Sequence, residues 1–163
     1  MSEVVHTDHH DDHDHGPEKG LLRWLYTTNH KDIGTLYLWF SFLMLLIGGA
    51  LALVIRTELF QPGLQFIEPA FFNQMTTNHG LIMVFGAIMP AFVGLANWLI
   101  PMQVGAPDMA LPRMNNLSFW ILPFAFGMMI STFFMDGGGP NFGWTFYAPL
   151  STTYGPPSTT YFI

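Results

Sequence analysis

The chain of 163 residues contains no cysteine. That absence excludes disulfides, thiolate metal sites and iron–sulfur clusters held by this chain. Charge is scarce as well: 10% of the residues are Asp, Glu, Lys or Arg, against about a quarter in soluble domains. Lysine and arginine together number five, so no basic surface for nucleic acid is expected. The formal net charge of −6 belongs mainly to one end. Seven of the eleven acids (Glu3, Asp8, Asp11, Asp12, Asp14, Glu18 and Asp32) precede the first apolar run.

What fills the remainder is apolar. Half of the residues are hydrophobic, with 16 Phe, 5 Trp and 11 Met. Three long uncharged windows stand out: Ile33–Ile55, Pro69–Pro107 and Met114–Met135. A membrane-spanning helix needs about 20 apolar residues. Each window holds one, expected at 34–56, 77–100 and 117–135. The fold class is therefore an all-α membrane protein with three transmembrane helices. The first window is too long, and too far from the start, for a secretory signal. Lys19, Arg23 and Lys31 precede it, Arg113 separates the second and third windows, and only Arg56 lies between the first and second. That four-to-one split places the N-terminus and the 101–116 loop in the cytoplasm.

Residues 1–20 read as a disordered cytoplasmic tail rich in His and Asp, because they lack a core-forming pattern. Clustered His and Asp also allow metal chelation there. In the first window, Tyr37 and Trp39 suit an aromatic belt. Gly48 and Ala52, with Gly49 beside them, let another backbone or a flat ligand come close.

His79 is the one histidine inside a membrane-length window; the other six lie in the first thirty residues. An ionisable group in a bilayer is expensive and marks a functional site by default. Helical spacing sets His79, Met83, Gly86, Pro90, Gly94 and Asn97 along one side. Apart from Met83, the residues between His79 and Asn97 are slim, a strip with room for a planar ligand. The alternative is a structural histidine bonded to a neighbouring helix. Asp108 sits in a turn-rich loop over residues 101–116, with Asn97 and Asn115 near it in sequence. A carboxylate with amides around it can gather protons and order water. A helix cap or an Asp108–Arg113 ion pair is the plainer reading. Asp136–Leu150 has many breakers and is expected to be a loop, with Trp144 and Tyr147 able to pack on a ligand's polar edge. The apolar trio Tyr161-Phe162-Ile163 suggests a chain cut short before a further helix.

Several segments together resemble one family. Arg23-Trp24-Leu25-Tyr26-Thr27-Thr28-Asn29-His30-Lys31-Asp32-Ile33-Gly34-Thr35-Leu36-Tyr37 looks like the opening of subunit I of the heme–copper oxidases. Thr76–Phe85 is similar to its second helix. Gly105–Asn116, with Leu117-Ser118-Phe119-Trp120, is similar to its second loop and third helix. Gly143-Trp144-Thr145-Phe146-Tyr147-Ala148-Pro149-Leu150 is similar to the loop after that. The likeness runs from about residue 22 to the end. It implies that residues 21–163 are the N-terminal portion of a twelve-helix bundle, in a bacterial inner membrane, with the N-terminus on the proton-supplying side.

The resemblance implies roles residue by residue. His79 matches an axial ligand of the low-spin heme (heme A), and Arg56 the arginine bonded to its formyl group. Trp144 matches a tryptophan near the heme propionates, with Tyr147 beside it. Asp108 matches the entry carboxylate of the D proton channel, with Asn97 and Asn115 as its amides. Glu58, Gln61, Gly63 and Gln65 match an outer calcium or sodium site. The ligands of the high-spin heme and of copper B, and the second axial ligand of the low-spin heme, fall beyond residue 163 in this family. No catalytic residue is expected here, and the chain alone is not expected to reduce oxygen. The implied partners are the rest of subunit I, subunits II and III, cytochrome c, oxygen and membrane lipid. The implied reaction carries electrons from cytochrome c to oxygen, forming water and pumping protons. A quinol oxidase of the same family, or a non-enzymatic multi-pass protein with a structural histidine, are the alternatives.

Overall fold

The first span begins earlier than its apolar window, because the cap that starts it is polar. Asn29 is the N-cap of α2 (His30–Glu58), and its side chain accepts from the Lys31 amide at 2.9 Å. Asp32 in the first turn suits the positive end of the helix dipole. In this computed structural model, which describes residues 20–156, a six-residue helix α1 (Leu21–Tyr26) precedes it. Arg23 of α1 binds both Asp32 oxygens at 3.0 Å and lies 5.7 Å from the Trp24 ring. The expected tail, including His6, His9, His10, His13 and His15, lies outside the described residues, as does the Tyr161–Ile163 trio.

The second span, Pro69–Val104, starts eight residues before the expected 77. Proline opens α3 (Pro69–Leu81), where its missing N–H costs nothing. The helix then widens into a π-helical segment, Ile82–Ile88, in which the Met89 amide reaches the Val84 carbonyl five residues back. It continues as α4 (Met89–Val104). Pro101–Val104, expected in a loop, are helical; Gly105 at φ +69° ends the span, and the Ala106 amide caps the Pro101 carbonyl. The third span, Pro112–Phe134, comprises α5 (Pro112–Ser131) and a 3-10 turn at Thr132–Phe134. Proline opens it too, five residues before the expected 117. The breaker-rich segment after it is irregular as expected, up to α6 (Leu150–Thr153).

The buried residues of α2 follow helical spacing: Ile33, Tyr37, Phe40, Met44 and Gly48. They meet Leu81, Ile82 and Ala87 of the second span and Phe119, Phe126 and Met129 of the third. Tyr37 stands edge-on to Phe119 at 5.2 Å, and Phe40 to Phe126 at 5.6 Å. Such pairs add about 0.5–1.5 kcal/mol each beyond their area. Tyr37 is thus a core residue, not part of an aromatic belt; Trp39, two residues on, faces outward.

The first two spans approach each other closely at Gly34 and Gly94. A methyl group on either would lie 2.9 Å from the other's carbonyl oxygen. The strip of small residues is therefore spent on helix packing. Gly86 faces Phe126 and Met44, and Pro90 is fully buried. The room for a planar ligand expected beneath His79 is filled. His79, Met83, Gly86 and Gly94 do share one side, as the spacing predicted, but that side faces α2, where Gly48, Met44 and Gly34 take up the room. Opposite faces of all three spans expose large apolar side chains, such as Leu53 and Phe124. Three helices of this length and apolarity make the chain a multi-pass membrane protein.

Candidate functional site

His79 lies in the last turn of α3, half-buried where that helix passes the middle of α2. Its Nδ1 is 2.8 Å from the Gly48 carbonyl oxygen. A carbonyl only accepts, so Nδ1 carries the proton. In the neutral ring, Nε2 is then left with its lone pair. This is the arrangement metal-bound histidines use: the second nitrogen donates to a carbonyl, fixing tautomer and ring plane. Gly48 packs against Met83 and Ile82, which brings its carbonyl within reach.

Open space lies beside this pair, on α2. A methyl group at Gly49 would meet nothing within 4 Å. Seven residues further, about 10 Å along the axis and on the same face, is Arg56. It is exposed and, among the described residues, has no ion-pair or hydrogen-bond partner. On the other flank Trp144 sits against Gly80, its ring atoms 3.1 Å from where a methyl group would stand. Tyr147 is more exposed than Trp144 and lies outside this contact. Among the described residues no group of three or more His, Asp or Glu side chains is placed to hold a metal ion. His79 is a single donor, suited to a metal whose other ligands come from a macrocycle or from outside these residues. An imidazole with Nδ1 held by a carbonyl, adjacent space and a cation two turns away, unpaired among the described residues, fit a heme carrying polar substituents.

A second polar group gathers at the end of the bundle where α2 begins. Asp108 Oδ1 accepts from the Met109 amide at 2.7 Å and from the His30 amide at 3.3 Å. The carboxylate thus caps the first span, which is half of the plainer reading; the Asp108–Arg113 ion pair does not form. Asn97 is buried, and its Oδ1 accepts from Asn115 Nδ2 at 2.6 Å. Ser118 Oγ donates to the Asn115 carbonyl at 2.6 Å, so the Tyr37 hydroxyl, 2.8 Å away, donates to Ser118. His30 is buried beside Asp108, and its Nδ1 has no partner. The amides expected around Asp108 therefore bind each other; Ser118 and Tyr37 join them through the Asn115 carbonyl, and His30 meets Asp108 through its backbone amide. Sequence reasoning missed those three. The signal was there for two: His30 and Tyr37, seven apart, share one face of α2 with buried Ser41.

At the opposite end, the Glu58 carboxylate accepts from the amides of Gln65 (2.8 Å), Phe66 (2.8 Å) and Ile67 (3.1 Å). Gln65 Nε2 donates to the Pro62 carbonyl. Gln61 and Gly63 are exposed in the same loop. Three of about four lone-pair positions on the carboxylate are thus spent on the backbone. Glu58 and Gln65 are joined; Gln61 and Gly63 are near in sequence only.

Residues 32–163 match the family described as Cytochrome C and Quinol oxidase polypeptide I. Cytochrome c oxidase subunit 1 of Corynebacterium diphtheriae is 44% identical over 144 residues, which is 87% of this chain and 26% of that protein. A putative cytochrome c oxidase subunit 1-beta of Streptomyces coelicolor is 48% identical over 139 residues, 85% of this chain and 24% of its own length. Cytochrome c oxidase subunit 1 of Corynebacterium glutamicum is 45% identical over 141 residues, with 85% and 24% covered. The chain spans about a quarter of the length of the curated relatives it matches.

Proposed function

The chain belongs to the family of cytochrome c and quinol oxidase polypeptide I, and from that premise we propose that it forms the N-terminal part of the heme-bearing subunit of a respiratory terminal oxidase. The whole subunit reduces oxygen to water with electrons from cytochrome c. This part holds one side of the low-spin heme and the mouth of a proton path. The observation that carries the reading is the hydrogen bond from His79 Nδ1 to the Gly48 carbonyl, which leaves Nε2 ready to bind iron.

His79 Nε2 would hold the iron through its lone pair, and the Gly48 carbonyl would fix the ring's orientation. Bound there, a low-spin heme A supplies one-electron transfer. Arg56, exposed and unpaired among the described residues on the open face of α2, would offer its guanidinium to the heme's formyl group. Trp144 and Tyr147 would lie near the heme's propionates. Copper B, the high-spin heme and the second axial histidine belong to later parts of the subunit. Subunits II and III, with cytochrome c as donor, complete the assembly; the run GAPDMALPRMNN and the relatives' names favour cytochrome c over quinol.

Asp108 takes protons from the cytoplasm at Oδ2, while Oδ1 holds the α2 start. Asn97 and Asn115 lie further in and order the water that follows, once their mutual bond opens to admit it. Glu58, Gln61, Gly63 and Gln65 form an outer calcium or sodium site through one remaining carboxylate lone pair and the loop's carbonyls.

The test is the His79→Ala substitution in the full-length subunit of the assembled oxidase. The low-spin heme band should vanish, because an axial ligand is gone. An unchanged optical spectrum defeats the assignment.

A further inference from the structure

The outer loop after the third span lies against the turn that carries His79, residue by residue. Gly138 packs on Gln74, and Gly139 on Asn78 and Thr132. The Gly143 amide donates to Thr77 Oγ1 at 3.0 Å, and Trp144 rests on Gly80. Thr77 is 1% exposed, and its hydroxyl serves twice, donating to the Asn73 carbonyl at 2.8 Å while accepting from Gly143. Gly143 has φ +87°, a conformation cheap for glycine and easily lost unless something holds it.

We propose that Thr77 is a positioning residue: by holding the Gly143 amide it seats Trp144 on Gly80, beside His79. The inference rests on the reading of His79 as a heme ligand, because the seat matters only if a group is bound there. Gly80 has no side chain to keep the indole away, and Gly143 next to Trp144 is tied to the same helical turn. The ring's place is thus set from α3 itself, by the residue two before the ligand and the residue after it. Moving the indole changes the dielectric and hydrogen bonding around that group, which are the protein's means of tuning a heme.

Three variants of the full-length subunit in the assembled oxidase decide it. Thr77→Val keeps the shape and removes the acceptor. Amide exchange at Gly143, followed on the peptide covering 137–147, should rise about fivefold, the factor for one neutral hydrogen bond. At the wild-type midpoint, the oxidised-to-reduced ratio of the low-spin heme should move about twofold or more. Thr77→Ser restores the acceptor and should return both readings to wild type. A Thr77→Val protein that changes neither reading, or exchange alone, overturns the proposal, as does a Thr77→Ser protein that restores nothing. If Thr77→Val fails to assemble, Gly80→Ala decides, since its methyl group displaces the indole and leaves the Thr77 bond intact. A shifted ratio with unchanged exchange supports the proposal, and an unchanged ratio overturns it. Retention of the low-spin band in His79→Ala would instead sink the ligand reading, and the exchange result would still stand.

Discussion

His79 has one duty in hand and one proposed: Nδ1 is committed to Gly48, and Nε2 is the nitrogen proposed to bind iron. Neither duty is visible in the sequence, where His79 is only an ionisable residue in an apolar window. Its partner is 31 positions away and is a backbone carbonyl, which leaves no trace in side-chain pattern. Asp108 likewise joins an observed duty, capping α2, to the proposed one of taking up protons, and one substitution separates them. Asparagine keeps an oxygen for the His30 amide but cannot hold a proton. Asp108→Asn should therefore preserve heme content and helix structure while slowing proton uptake and pumping. Normal turnover with a normal proton-to-electron ratio would count against the proton role.

Among the elements, existence was legible and ends were not. The windows needed only composition, and all three spans are present. The ends follow from polar and backbone chemistry outside those windows: Asn29 as a cap, Pro69 and Pro112 at first positions, and Gly105 in the left-handed conformation. The two prolines were readable as start signals. The π segment was not, nor was the packing of the slim strip against α2. Two glycines test where the free space lies. Gly94→Val drives a side chain into the Gly34 carbonyl and should destabilise the bundle by about 1–3 kcal/mol. Gly49→Ala meets nothing within 4 Å and should leave stability intact while lowering low-spin heme occupancy. Thermal unfolding followed by circular dichroism, with heme content assayed alongside, separates them; equal losses of stability would place the open face elsewhere.

For the whole molecule, the exposed apolar faces and the three spans fix a membrane environment, and the five Lys and Arg residues predict its sidedness. Absence of cysteine makes that prediction convenient to test. A single cysteine placed at Thr28 or at Gly63 within this segment reports the two ends of the first span. A membrane-impermeant maleimide added to intact cells should label the Gly63→Cys protein and reach the Thr28→Cys protein only after permeabilisation. The reverse pattern would invert the orientation and move Asp108 to the wrong side for proton uptake.

The central claim is that His79 Nε2 binds the iron of a low-spin heme. The most direct measurement is the optical spectrum of the assembled oxidase carrying His79→Gly, recorded without and with added imidazole. The low-spin band should be absent without imidazole and return with it, as the free ring occupies the vacated place. A low-spin band that persists without imidazole would contradict the claim.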